Sequence, residues 1–213
     1  MKKIFAFTIA SLIGLSAQAA FAGGPDQPVA PAPVTYSGTY LEGMVGYGLR
    51  DWGNTQVFTG TSTQNIDGGF SAGFDVGYQF NEFISLEGGW LYFPQFSESA
   101  AGLSDTLTGW GAYGGLKFTV PLVQDLFIFA KIAAAYNQWS GSNNVTTNAV
   151  NFSGDNNYWT PLFGFGLQYY FNQNVSINAQ WIYVPGNEEL TTATGRTPNE
   201  NLFLAGVGYK FAI

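Results

Sequence analysis

Glu42, Asp75, Glu87, Lys117, Lys131 and Lys210 are the residues through which this sequence could do chemistry, because the usual catalytic types are missing. It contains no histidine and no cysteine. The first absence removes the side chain that most often serves as a general base near neutral pH and as a metal ligand. The second removes thiol nucleophiles, zinc thiolate sites and disulfide staples. Neither an enzymatic activity nor a cofactor is therefore expected. The segment Gly109-Trp110-Gly111-Ala112-Tyr113-Gly114 spells a dinucleotide fingerprint. That fingerprint needs a following helix, and here it lies inside an alternating strand pattern where the phosphate cradle cannot form. Asn144-Val-Thr and Asn151-Phe-Ser are formal glycosylation sequons, read as chance in a bacterial chain. What three acids and three bases can do is pair with one another, provided that some element points them into one enclosed space.

The elements that would do so follow a period of two. From residue 36 onward, eight segments alternate apolar and small or polar residues, over 37–50, 68–80, 83–93, 107–120, 126–138, 159–171, 175–184 and 201–213. In the second, Phe70, Ala72, Phe74, Val76, Tyr78 and Phe80 oppose Ser71, Gly73, Asp75, Gly77 and Gln79. All six charges fall on the polar face, which is otherwise mostly Gly, Ser, Asn and Gln. Connections alternate in length: 81–82, 121–125 and 172–174 are tight, while 51–67, 94–106, 139–158 and 185–200 are long and polar. Only 10% of residues are charged, against about 25% in a soluble domain. No mature stretch reaches 18 consecutive apolar residues, so helical spans are not expected. These features predict an all-β fold, an eight-stranded antiparallel up-and-down transmembrane β-barrel with its apolar face in lipid. Short turns would face the periplasm and long loops the exterior. Tyr78, Phe80, Phe118, Tyr169, Phe171, Tyr209 and Phe211 would form one aromatic girdle; Tyr47, Trp90, Tyr92, Tyr136, Trp181 and Tyr183 would form the other. A soluble barrel with the apolar face inward is the rival, and its polar face should be crowded with Lys and Glu.

Residues 1–22 have the layout of a secretory signal peptide: Lys2 and Lys3, an apolar run from Ile4 to Leu15, and Ala20-Phe21-Ala22 before the cut. Ala17-Gln18-Ala19 is an alternative cleavage site. Residues 23–35, with Pro25, Pro28, Pro31 and Pro33, read as a periplasmic tether. Residues 36–213 form the barrel domain. Removing the signal leaves five basic and fourteen acidic residues, a net charge of −9, so a nucleic-acid footprint is missing.

Over residues 36–213 the chain resembles the OmpA-like transmembrane domain family. The resemblance rests on Gly206-Val-Gly-Tyr-Lys-Phe211, Asp125-Leu126 leading into Ala130-Lys131-Ile132, and Gly166-Leu167-Gln168-Tyr169. It implies an integral protein of the bacterial outer membrane, surrounded by outer-membrane lipids and lipopolysaccharide. The globular wall-binding domain that many members carry after the barrel is not expected here. The resemblance further implies delivery by periplasmic chaperones and recognition by the barrel-assembly machinery. The assembly signal would be Tyr209, Phe211 and Ile213, with Ile213 standing where the family usually ends in an aromatic. It also implies a switching ion-pair set in the lumen. Glu87 and Lys117 fall at matching strand positions, while two other members are replaced by Gln168 and Asn178. Antiparallel pairing is expected to bring Glu87 near Lys117 and Lys210 near Glu42. The functional expectation is a structural, surface-exposed barrel whose loops bind host or environmental ligands; the alternative is a narrow gated ion or small-solute pore.

Overall fold

The computed structural model describes residues 37–51, 66–100, 103–143, 154–186 and 197–211. Residues 1–36, 52–65, 101–102, 144–153, 187–196 and 212–213, which include the expected signal peptide and tether and Ile213, lie outside the described residues. Nine strands follow in order: β1 (Gly38–Asp51), β2 (Ile66–Gln79), β3 (Ile84–Tyr92), β4 (Phe96–Ala100), β5 (Leu103–Val123), β6 (Leu126–Asn143), β7 (Gly154–Tyr170), β8 (Val175–Val184) and β9 (Asn199–Lys210). Every pairing is antiparallel, β1 pairs with β9, and β3 pairs with β5. Through the β1–β9 and β3–β5 pairings the sheet closes on itself, as a barrel in lipid requires, while among the described residues β4 pairs with β5 alone.

Nine segments make eight staves. β3 pairs with the Trp110–Phe118 stretch of β5 and β4 with Leu103–Leu107, so the two are one stave broken at Phe93-Pro94-Gln95. The Phe93 amide still donates to the Gly109 carbonyl across the break. This corrects the expected long loop over 94–106. Ser97, Glu98, Ser99 and Ala100 have loop-like composition, but a ladder made of backbone hydrogen bonds does not need apolar side chains. Likewise β5 runs on to Val123 through a register irregularity at Pro121 and Val123. The expected five-residue link shrinks to Gln124 and Asp125. Asp125 turns the chain at φ 65°, a left-handed conformation that Asp tolerates better than most residues.

The other two short connections are built by asparagine. Asn81 Oδ1 accepts from the amides of Phe83 and Ile84 at 2.9 and 3.0 Å. Asn172 Oδ1 does the same for Asn174 and Val175 at 2.9 and 2.8 Å. Each side chain imitates a backbone turn and fixes the register of the hairpin that follows.

Because the period is two, the register sends Val45, Tyr47, Phe74, Val76, Leu86, Phe118, Ile132, Phe165 and Val207 outward, all exposed. The exposed wall is apolar and the core is the lumen. At the turn end, Tyr78–Phe80, Tyr169–Phe171 and Tyr209–Phe211 meet edge to face at 5.1 to 5.3 Å. At the loop end, Trp110, Tyr136 and Trp159 form a ring-to-ring series on the wall at 6.3 and 5.5 Å. These are the two aromatic girdles of a membrane barrel.

Candidate functional site

The register places like charges side by side. Glu42 on β1 lies opposite Asp75 on β2, and Lys117 on β5 lies opposite Lys131 on β6. Either neighbour pair alone would be repulsive. The barrel resolves this by closure, because β1, β2 and β3 carry the acids on one wall while β5 and β6 carry the bases on the other. Across the lumen Lys131 Nζ reaches Asp75 Oδ2 at 2.8 Å and also contacts Glu87 Oε1. Lys117 Nζ stands 3.6 Å from Glu42 Oε2 and 3.8 Å from Glu87 Oε2, and 4.3 Å above the Phe129 ring. Two phenols complete the cluster. Tyr40 donates to Glu87 Oε2 at 2.7 Å, and Tyr113 donates to Asp75 Oδ1 at 2.6 Å and Glu87 Oε1 at 3.2 Å. All five charged residues are buried. Gly77 and Gly89 make room for these phenols: a Cβ at Gly77 would stand 2.2 Å from the Tyr40 ring, and one at Gly89 2.7 Å from Tyr113.

Oxygens of Glu42, Asp75 and Glu87 lie within 4.8 Å of one another. Such a triad could in principle hold a cation, yet two ammonium groups already occupy its open side. A metal would have to displace Lys131 from hydrogen bonds that satisfy buried carboxylates, so the donor set suits an internal salt-bridge cluster better than an ion site.

Glu87 and Lys117 do face each other, but the expected approach of Lys210 to Glu42 does not occur. Lys210 stands opposite Tyr40, two residues from Glu42 along β1, and its Nζ donates to Gln79 Oε1 at 3.0 Å. Gln168 and Asn178 are buried in the lumen, where Gln168 donates to Ser176 Oγ at 3.0 Å. Tyr209 and Phe211 face outward at the turn end, where the Phe211 amide donates to the Thr39 carbonyl at 2.8 Å and so closes β9 on β1.

The loop end holds a second constellation that the sequence reading missed. Arg50 and Glu200 lie opposite each other on β1 and β9, and Arg50 Nε donates to Glu200 Oε1 at 3.0 Å with both side chains buried. Arg50 Nη2 donates to the Pro94 carbonyl, and its guanidinium lies 5.6 Å from the Trp139 ring centre. Phe93 stacks on Trp139 at 5.2 Å. The broken stave thus folds Phe93 and Pro94 into the barrel mouth, where the arginine holds them. Parity was the available signal: position 50 continues 42, 44, 46 and 48, and position 200 continues 210 back through 202. Between the two charged levels lies a largely apolar layer of Met44, Leu91, Leu162, Ile182, Leu202 and Leu204, into which the buried Gln180 amide reaches Met44 Sδ. The expectation that the inward face is mostly Gly, Ser, Asn and Gln is corrected for this half of the barrel.

A closed antiparallel sheet with an apolar exterior, two aromatic girdles and buried ion pairs inside defines an integral outer-membrane β-barrel. The model of the OmpA-like transmembrane domain matches residues 39–213, and the chain belongs to that family. An uncharacterized protein of Coxiella burnetii is 26% identical over 257 aligned positions, which cover 99% of both chains. Among solved structures, Neisserial surface protein A matches with a TM-score of 0.55 at 17% identity, covering 82% of this chain and 98% of that one. The attachment invasion locus protein Ail of Yersinia pestis matches with a TM-score of 0.50 at 16% identity, over 82% and 99% of the two chains. OprG of Pseudomonas aeruginosa matches with a TM-score of 0.50 at 12% identity, over 84% and 98%. These likenesses are of fold.

Proposed function

We propose that this protein is a closed structural barrel that anchors a surface of long loops in the outer membrane, where they meet host or environmental ligands. The observation that carries this reading is the doubly occupied lumen, in which an ion-pair cluster and a largely apolar, leucine-rich layer lie in series. Eight strands leave an interior that side chains can just fill, and here they fill it at both levels. Among the described residues the lumen carboxylates face lysines or phenols at the turn end and Arg50 at the loop end, an arrangement that supports a structural role. Outer-membrane lipids and lipopolysaccharide would surround the wall, and delivery would use periplasmic chaperones and the barrel-assembly machinery.

Reconstitution into planar bilayers tests the reading. No steady current above that of the bare membrane is expected, and a sustained open channel would exclude a sealed barrel. A narrow gated path is the second reading, and Lys117 favours it: at 3.6 and 3.8 Å from two carboxylates, it is the cation of the cluster best placed to exchange partners. Brief openings whose frequency changes in Lys117→Met would support that reading. Orientation is tested separately. A cysteine placed at Asn144 should react with an impermeant label in intact cells and one at Asn81 should not; equal labelling would overturn the assignment of loops to the outside.

A further inference from the structure

The turn-end cluster does not balance. Glu42, Asp75 and Glu87 bring three negative charges and Lys117 and Lys131 two positive ones, all buried, so the cluster carries one net negative charge. Lys210 does not make up the difference there. Its Nζ donates to Gln79 Oε1 at 3.0 Å, and its Cε lies 3.5 Å from where a Cβ on Gly38 would stand, so the side chain runs toward the turns. Glu42 is the carboxylate left short. It is 1% exposed, Lys117 Nζ stands 3.6 Å away, and neither of its oxygens accepts a hydrogen bond among the described residues. A buried charge without full compensation is costly.

On the β9 side of Glu42, away from Asp75 on β2, two amides are in the same condition. Both polar atoms of Asn178, which is 5% exposed, and Oε1 of Gln180 have no hydrogen-bond partner among the described residues. Buried polar groups in a native fold are nearly always satisfied, so each of these needs a reason. Register brings the amides to Glu42. Ser176 and Asn178 on β8 lie opposite Gly208 and Gly206 on β9, and these lie opposite Glu42 and Met44 on β1. The two glycines put no side chain between β8 and β1. A Cβ on Gly206 would stand 3.0 Å from Asn178 Nδ2, and one on Gly208 would stand 3.8 Å from Glu42 Cγ. Gln180 shows the direction, since its amide crosses β9 to Met44 Sδ. One inward position nearer the turns, the same crossing takes Asn178 to Glu42.

We propose that Glu42, Asn178 and Gln180 hold one monovalent cation, such as sodium, inside the barrel. The Glu42 carboxylate and the two amide oxygens are hard donors of the kind that alkali and alkaline-earth ions take. One positive charge brings the cluster to neutrality and supplies the partner that Glu42 lacks. A water molecule would satisfy the amides but brings no charge. Calcium would leave the cluster positive, and it takes about six to eight oxygens. An ion among Glu42, Asp75 and Glu87 would have to displace Lys131. On the β9 side of Glu42 both lysines keep their carboxylates, and the cation adds to the cluster without breaking a hydrogen bond.

The test is urea unfolding of the protein refolded in lipid vesicles, in sodium chloride and in choline chloride at equal ionic strength, so that screening is the same in both. A ligand bound only by the folded state stabilises it as its concentration rises. The urea midpoint should therefore climb with sodium and not with choline. Glu42→Gln keeps the shape and removes the charge, and it should abolish the climb. Asn178→Leu should raise the sodium concentration needed for half of the effect about tenfold, while Ser71→Ala in the loop half should leave it as in wild type. Heat-modifiable mobility reports whether each variant is folded. A second measurement needs no variant: crystals of wild type grown with thallium(I) in place of sodium should show an anomalous peak between Glu42 and Asn178. A wild-type midpoint that is equal in the two salts, a folded Glu42→Gln that responds to sodium like wild type, a stronger response to calcium than to sodium, or density for water alone at Asn178 would each overturn the proposal.

Discussion

Toward the turns the barrel interior gathers Glu42, Asp75, Glu87, Lys117 and Lys131 into one cluster, whereas toward the loops the same inward parity presents Leu91, Leu162, Ile182, Leu202 and Leu204 beneath the Arg50–Glu200 pair. One wall and one backbone pattern thus support two ways of excluding water. The apolar layer gains from burial itself and tolerates modest changes in shape. The charged layer holds only while each ion keeps its partners, because an ion left alone out of water costs far more than a lost methyl group. The Arg50 level combines both, since its ion pair is sandwiched between aromatic rings and a bend in the third stave.

The largest effect should come from breaking the closure on which both halves depend. Deleting residues 209–213 removes the pairing of Tyr209 with Leu41 and Val175, and of Lys210 with Tyr40. The truncated chain should be absent from the outer-membrane fraction and degraded in the periplasm. A heat-modifiable band in that fraction would show that β9 is not what closes the barrel.

Next in size is the loop-end pair. Arg50→Ala removes the guanidinium that pairs with buried Glu200 and should cost about 3–5 kcal/mol, read from urea unfolding in lipid vesicles by tryptophan fluorescence. Arg50→Met with Glu200→Leu should recover much of that loss, because an apolar pair extends the leucine-rich layer below it. If Arg50→Ala unfolds like wild type, the arginine does not hold the mouth.

The turn-end cluster should respond more mildly to loss of a single charge. Glu87→Gln keeps its shape and should cost about 1–3 kcal/mol. A double-mutant cycle sharpens the assignment, since Glu87 should couple more strongly to Lys131, which it contacts closely, than to Lys117 at 3.8 Å. Equal coupling to both lysines would mean that the cluster is averaged over several partners. The smallest effect is expected at the turn-end rim: Lys210→Ala removes the hydrogen bond to Gln79 and should cost about 0.5–1.5 kcal/mol while still reaching the outer membrane. Failure of that variant to assemble would give Lys210 a role in recognition.

Strand alternation was legible because a period of two is a local property: each inward residue is fixed by its neighbours two positions away. Hence the eight staves, the girdles and the inward placement of Glu42, Asp75, Glu87, Lys117, Lys131 and Lys210 follow from the order of residues. Strand ends were less legible. The composition of Ser97 to Ala100 hid a hairpin, starting the last strand at residue 201 hid Glu200, and Arg50, the final residue of the first segment, was not read as part of its inward face.

Partnership was a different matter. Reasoning along adjacent strands expected Lys210 to meet Glu42, but a ladder read in register sets acid beside acid and lysine beside lysine. Which lysine serves which carboxylate depends on the far wall, and so on how the closed sheet is sheared. The sequence by itself determined which side chains enter the lumen, since pleating alternates them without regard to distant strands. Only the tertiary structure decided that Lys131 answers Asp75 and Glu87, and that Arg50 holds the bend at Pro94, because those contacts cross a space that exists only once β1 has paired with β9.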